Sequence, residues 1–333
     1  LTQNDPVRAA IVGLGRWGQR LVTANAGNPG SGLTFTRAAT RTPQKAQAFC
    51  AEHDLALMPD LDALLACDDL DAIVLATPHT QHAAQVRAIA ATGRHVFVEK
   101  PLALNLSDAR NAVAACKAAG VTLAVGFNRR FMPGYRALNA AITDGTLGTP
   151  MHVEGSFCGA FGYGYSDDMW RGSSVENPAG GMAAMGIHVI DAMIAAMGPI
   201  QRVSTLSRRL ALTCSLDDTT SVQMEFASGA TGTLSTLMAT ASYWRLHAFG
   251  SKGWAQMTEE HRCVITGIDA PPREASFDPV DSVAEELACF ADAVRGGGAY
   301  PVTGAQALAG VAAMEAIAMS ARAGGDWIEV AEI

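Results

Sequence analysis

The sequence predicts an α/β chain: a doubly wound parallel sheet first, then an α+β domain with a large, mainly antiparallel, open-faced sheet. Three observations predict it. From residue 7 to about 127, short apolar runs alternate with Ala-rich amphipathic segments, the order that builds strand–helix–strand units. After Asn128 the strand signals become alternating, as at Val222, Met224 and Phe226, with turn signals at Ser228-Gly229 and Ser251-Lys252-Gly253. The length of 333 residues, 49% of them apolar, suits two domains that each bury a core.

The elements follow in order. Val7 to Val12 reads as a buried strand, turned by Gly13 to Gly15 into a helix over Arg16 to Ala26. Leu33 to Thr40 is a second strand and Pro43 to His53 a second helix. Asp60 to Cys67 is a short helix. Ala72 to Thr77 is a strand stopped by Pro78, and Gln81 to Thr92 a helix stopped by Gly93. His95 to Val98 is a strand, Ser107 caps a helix to Ala119, and Val121 to Phe127 is the next strand. Strand signals return at about 151 to 158 and 200 to 269. Helices over Val283 to Arg295 and Thr303 to Ala323 close the chain. In the last, Leu308, Val311, Met314 and Ile317 repeat at helical spacing, and Met319 returns to the side of Leu308. The expected domains are 1–128 and 129–333, with the 303–323 helix packing back toward the first.

Composition narrows the function. Lys and Arg total 24 against 32 Asp and Glu, a net charge of −8 that offers no bulk attraction to nucleic acid or anionic lipid. A small molecule is the expected partner. Phe226 to Trp244 is uncharged but rich in Gly, Ser and Thr, and Asn177 to Ile190 is stopped by Asp191, so neither reads as a membrane span. No charged-then-apolar leader is visible at the start. Seven scattered cysteines with no CxxC pair suit a reducing cytoplasm. The eight histidines show no HxxxH and no Cys partner, and no metal site is expected.

Gly13-Leu14-Gly15-Arg16-Trp17-Gly18 is a GxGxxG turn between a strand and a helix. That context identifies a dinucleotide site, because the glycines permit a tight turn and close pyrophosphate approach, and the helix start offers free N–H groups. The second strand ends at Thr40-Arg41, where a carboxylate would bind the ribose 2′-hydroxyl of NAD. No Asp or Glu occurs between Asp5 and Glu52, whereas Arg37, Arg41 and Lys45 do. Thr40 and Arg41 suit a 2′-phosphate, so NADP(H) is expected over NAD(H).

Two further strand ends carry chemistry: Thr77-Pro78-His79-Thr80-Gln81-His82, and His95 to Leu102 with Glu99-Lys100-Pro101 inside it. A lysine at the carboxyl edge of such a sheet can exchange a proton with a substrate oxygen; alone, it could equally form a salt bridge with Glu99.

Together with GFNRRFMP, AGGMAAMGIHVID and the FADAVRGGGAYPVTGAQ tail, these segments resemble the glucose-fructose oxidoreductase / inositol dehydrogenase / rhizopine catabolism family over nearly the whole chain. The resemblance implies an N-terminal Rossmann domain and a C-terminal α+β domain whose open sheet face serves homo-oligomer contacts, as a dimer or tetramer. It implies that Lys100 lies by the nicotinamide and substrate, that Gly13 to Gly18, Thr77, Pro78, His79, His82 and Glu99 line the cofactor, and that the substrate is a sugar, cyclitol or related hydroxyl or carbonyl compound.

By helical spacing Ala184, His188 and Asp191 share a face. The family commonly has an Asp four residues before this His; here it is Ala184. Three readings stay open: Lys100 and His188 suffice, with Asp167 or Asp168 assisting; the protein is a reductase in which Lys100 donates the proton; or it binds cofactor as an NADP(H) sensor without turnover. Asp191 is expected to be structural. Asn128, Arg129 and Arg130 follow the last strand of the first domain, where one arginine could orient substrate or each could form an interdomain salt bridge. Asn128, Arg129, Trp170, Met185, Lys100 and His188 are the expected substrate contacts. Tyr163, Tyr165 and Trp170 lie in or just after a glycine-rich stretch that suits a lid or an oligomer arm.

Overall fold

A computed structural model describes residues 5–333. They form two compact units, one of residues up to Ala103 with Ser107–Asn128 and Asp281–Gly304, the other of Leu104–Leu106, Arg129–Val280 and Ala305–Ile333.

The first unit holds six strands, β1 (Val7–Val12), β2 (Leu33–Ala39), β3 (Ala56–Met58), β4 (Ala72–Leu75), β5 (His95–Glu99) and β6 (Leu123–Gly126), in the order β3-β2-β1-β4-β5-β6. All pairings are parallel. β4 is buried along its whole length, as a strand covered on both faces must be. Strand order reverses between β1 and β4, so their carboxyl ends open a crevice there. Helices α1 (Arg16–Ala26), α2 (Pro43–Glu52), α3 (Leu61–Leu65), α4 (His82–Ala90) and α5 (Leu106–Ala119) connect or follow these strands. Two details differ from the sequence reading. β3 has only three residues, too few to show a period. Ser107 lies inside α5 rather than capping it.

The second unit contains α6 (Pro133–Thr143), β7 (Pro150–Cys158), α7 (Gly186–Met197), β8 (Ile200–Arg208), β9 (Thr219–Phe226), β10 (Thr231–Leu237), β11 (Tyr243–Gly250), β12 (Gly253–Glu259), β13 (Arg262–Gly267) and β14 (Arg273–Ser276). After α8 (Ser282–Val294) come α9 (Gly304–Arg322) and β15 (Ile328–Glu329). The nine-stranded sheet runs β14-β13-β12-β11-β7-β10-β9-β8-β15. It is antiparallel except at β7–β10. On β9, Thr220, Val222, Met224 and Phe226 are buried and their neighbours are not, the alternation of a sheet with one packed face. The packed face meets α6, α7 and α9 through Leu138, Val189, Met193, Ala313 and Ile317.

Two expectations about the closing helices change. α8 clusters with the first unit instead of the second, because its apolar stripe packs there: Phe290 meets Phe97 of β5 at 5.7 Å between ring centroids. α9 beyond Gly304 belongs to the second unit, with Val311, Met314 and Ile317 buried while Met319 is exposed. α9 is long and apolar enough to cross a membrane by length and composition, but most of it is buried inside the protein.

A buried ion pair pins the helices of the second unit. Arg130 Nε and Nη2 donate to Asp191 Oδ2 and Oδ1 at 2.7 and 2.6 Å, and Nη1 donates to Gln306 at 3.1 Å. Burial pushes the Asp191 carboxyl up, and the guanidinium acts against that. Asp191 is thereby structural, and the pair lies within one unit rather than between domains. Removing one partner strands a buried charge, so Arg130→Met should cost about 3–5 kcal/mol of stability, read by chemical denaturation. A loss below about 1 kcal/mol would mean that the guanidinium contributes no more than a surface pair.

Candidate functional site

The glycine turn is fixed by close backbone approach. Gly13 has φ +98°, and a Cβ there would stand 2.5 Å from the Ala76 carbonyl oxygen. A Cβ on Gly18 would stand 1.9 Å from the Gly13 oxygen. Gly15 differs: it is exposed, and nothing lies within 4 Å of where its Cβ would be. It is also the N-cap of α1, with no side-chain cap and no acidic residue in the first turn. The first N–H groups of an 11-residue helix therefore face open space, as a pyrophosphate site requires. Leu14 is buried, Arg16 is exposed, and the buried Trp17 Nε1 has no hydrogen-bond partner. These residues fit a dinucleotide.

At the end of β2, Thr40 is half-buried and Arg41 exposed. Lys45 is also exposed, but Arg37 is engaged by Asp69 at 2.8 Å. At the end of β4, Thr77 Oγ1 donates to Gln85 at 2.6 Å, and Pro78 is half-buried. His79 is buried, with its ring 5.9 Å from that of His82. His82 has no exposed surface; its ring nitrogens lie 2.7 Å from the Pro101 carbonyl and 3.0 Å from the Thr77 carbonyl. It therefore ties the loop after β4 to the loop after β5.

Lys100 is half-buried, immediately beyond β5. Glu99 is 5% exposed and faces its register partner on β6, Gly126, where a Cβ would stand 2.9 Å from Glu99 Oε1. Its carboxyl is thus turned into the protein rather than toward an open ligand surface. Asn128 is likewise buried, donating to Ser282 Oγ at 3.0 Å, and makes a structural link where a substrate contact was expected.

The second unit has its own polar centre. The Arg129 guanidinium lies 4.4 Å from the Phe157 ring and 4.2 Å from the Trp244 ring, against both members of an edge-to-face pair whose centroids are 5.2 Å apart. Phe157 and Trp244 are register partners on β7 and β11. Burial lowers the guanidinium to about 10, opposed by Glu260 at 3.7 Å. His188, on α7, is buried with its ring 6.1 Å from that of Phe157.

Ala184 corrects the helical-face reading. α7 begins at Gly186 with Met185 as its N-cap, so Ala184 lies in the preceding turn while His188 and Asp191 are helical. Gly186 permits that turn, since a Cβ there would meet Met182 Sδ at 2.4 Å. Met185 is buried beside Leu212, Leu216 and Met238, which makes it core rather than a substrate contact. Trp170 is half-buried beneath the Arg171 guanidinium at 4.1 Å. Asp167 accepts from the Ser215 N–H at 2.7 Å, which occupies one proposed helper of His188. Among the described residues no group of three or more His, Cys, Asp or Glu is placed to hold a metal ion.

Two features escaped the sequence reading. Trp244 sits in a stretch that showed only strand alternation. Glu286 of α8 has no exposed surface. It lies one turn before Phe290 and beside Leu287, so the periodicity of Val283, Leu287 and Phe290 could have flagged a carboxylate on the inward stripe.

Residues 7–127 match the oxidoreductase family with an NAD-binding Rossmann fold, GFO/IDH/MocA, and residues 135–256 match the family's C-terminal domain. D-apiose dehydrogenase of Paraburkholderia graminis is 28% identical over 302 residues, covering 84% of this chain and 77% of that protein. Inositol 2-dehydrogenase of Rhizobium meliloti is 34% identical over 142 residues, covering 43% of this chain and 42% of that protein. The crystal structure of the WlbA dehydrogenase from Bordetella pertussis, in complex with NADH and UDP-GlcNAcA, is 25% identical, with a TM-score of 0.85 and full coverage of both chains. With both family domains matched in order and the glycine turn placed as a dinucleotide site requires, the chain belongs to the GFO/IDH/MocA family of oxidoreductases.

Proposed function

We propose that the protein is an NAD(P)-dependent dehydrogenase or reductase for a sugar, cyclitol or related hydroxyl or carbonyl compound. The open, uncapped helix start at Gly15, in the same unit as Lys100 at the end of β5, carries this reading. The activities named for the apiose and inositol dehydrogenases support the substrate class. Gly13 to Gly18 hold the pyrophosphate, and Thr77, Pro78 and His79 border the crevice. The nicotinamide, when bound, supplies the hydride chemistry. Lys100 and His188 take the hydroxyl proton in oxidation and return it in reduction. Arg129 and Trp170 bind substrate, and the protein works as a homo-oligomer. Ala184 favours a second reading, an NADP(H)-binding sensor, because no carboxylate stands at that position.

Thr40 and the exposed Arg41 support NADP(H). Two donors to a 2′-phosphate should favour NADPH over NADH by about tenfold or more in kcat/KM. Equal efficiencies, or a preference for NADH, would remove the assignment.

Lys100→Ala should lose about 10²-fold or more in turnover while cofactor affinity, measured by titration, stays within a few fold. Near-normal turnover would refute the role. Ala184→Asp should raise turnover if a carboxylate is wanting beside His188; a fall would mark a pocket adapted to its absence. A protein that titrates with NADPH but turns over no sugar, cyclitol or keto form would be the sensor.

A further inference from the structure

Glu286 has no exposed surface, and neither of its carboxyl oxygens has a hydrogen-bond partner. Acceptor-only oxygens in a dry site are costly, whereas a protonated carboxyl has an O–H to give. The register of α8 on the sheet shows where that O–H goes. Phe290 packs edge-on against Phe97. Asn128, just beyond the carboxyl end of β6, bonds Ser282 at the start of α8, so the helix starts at the carboxyl-end side of the sheet. Glu286 lies on α8 between Ser282 and Phe290, on the carboxyl-end side of the contact with Phe97, the side on which Glu99 stands two residues further along β5. Glu99 is held from the other side by its close approach to Gly126.

Building on the proposed role of Lys100, we propose that Glu286 is a positioning residue: a neutral carboxylic acid that donates its O–H to the Glu99 carboxylate and so keeps a negative charge fixed beside Lys100. Burial holds the Glu286 proton well beyond the usual carboxylate range; Glu99 and Asp281 add to this and Lys100 opposes it. The other charged groups on the elements packed against α8 are engaged or exposed. Arg20 of α1 bonds Asp281 at 2.7 Å, Arg37 of β2 bonds Asp69, and Arg16 is exposed. The arrangement parallels other apolar sites in which a carboxylic acid stays neutral so that it can donate a hydrogen bond. Without this donor the Glu99 carboxylate loses part of its stabilisation, the negative charge beside the ammonium weakens, and Lys100 releases its proton at lower pH.

Infrared spectroscopy of the whole protein tests the protonation without substrate. The carbonyl stretch of a protonated carboxylic acid should be present at neutral pH and vanish in Glu286→Gln. Kinetics tests the coupling. Glu286→Gln retains an N–H donor and should keep the pH midpoint of kcat/KM for hydroxyl oxidation. Glu286→Leu should move it down by about half a unit or more and lower kcat more than it changes KM. Absence of the band, its survival in Glu286→Gln, or one midpoint shared by all three proteins would overturn the proposal. If Glu286→Leu does not fold, the band and the Gln variant decide. A protein that turns over no substrate would overturn the proposed reaction, and the band would still decide the state of Glu286.

Discussion

The contact on which the first unit depends is backbone against backbone. Gly13 lies so close to Ala76 that no side chain fits between them, and Gly18 is pressed as closely against Gly13. That approach brings α1 down onto the junction of β1 and β4, where the strand order reverses. The helix start is then without a side-chain cap or an acidic residue in its first turn. A larger residue at either glycine would lift the helix from the sheet and remove the geometry that makes an anion site. Packing and binding thus share one cause.

A second theme is the treatment of buried charge. Three desolvated charge sites in this protein are given different remedies. Arg130 and Asp191 neutralise each other through two short, parallel hydrogen bonds. Arg129 instead takes the π faces of Phe157 and Trp244, with Glu260 at longer range. Glu286 has neither a cation in bonding contact nor a ring, which leaves its own proton as the remedy. The first solution locks a helix, whereas the second leaves a desolvated cation near His188's aromatic neighbour, a setting in which an oxygen-rich ligand gains from each hydrogen bond it makes.

The differences from the sequence reading have a common origin. The family resemblance assigned Glu99 and His82 to the cofactor, and Asn128 was assigned to substrate from its place after the last strand of the first domain. Position along the chain does place them at strand ends or beside them. What it does not give is the direction of the side chain: His82 and Asn128 each tie one element to another, and Glu99 is buried. Ala184 was read as helical because of the spacing to His188; the glycines at 180, 181 and 186 allow a compact turn there and delay the helix. Asp191 shows the opposite case, since an acid in the middle of an apolar helix has few roles other than pairing with a buried cation.

By itself the sequence determined the two-part architecture, the parallel order of the first sheet and the alternation of the second, because these follow from hydrophobic period and from turn chemistry carried by neighbouring residues. It also determined the dinucleotide turn, whose glycines act within six residues of one another. Only the tertiary structure decided that α8 leaves its sequence neighbours to cover the first sheet, that Trp244 meets Arg129, and that Phe290 meets Phe97. Those outcomes join residues more than 100 positions apart, and they rest on which apolar stripe finds which face, a choice made by packing rather than by any local preference.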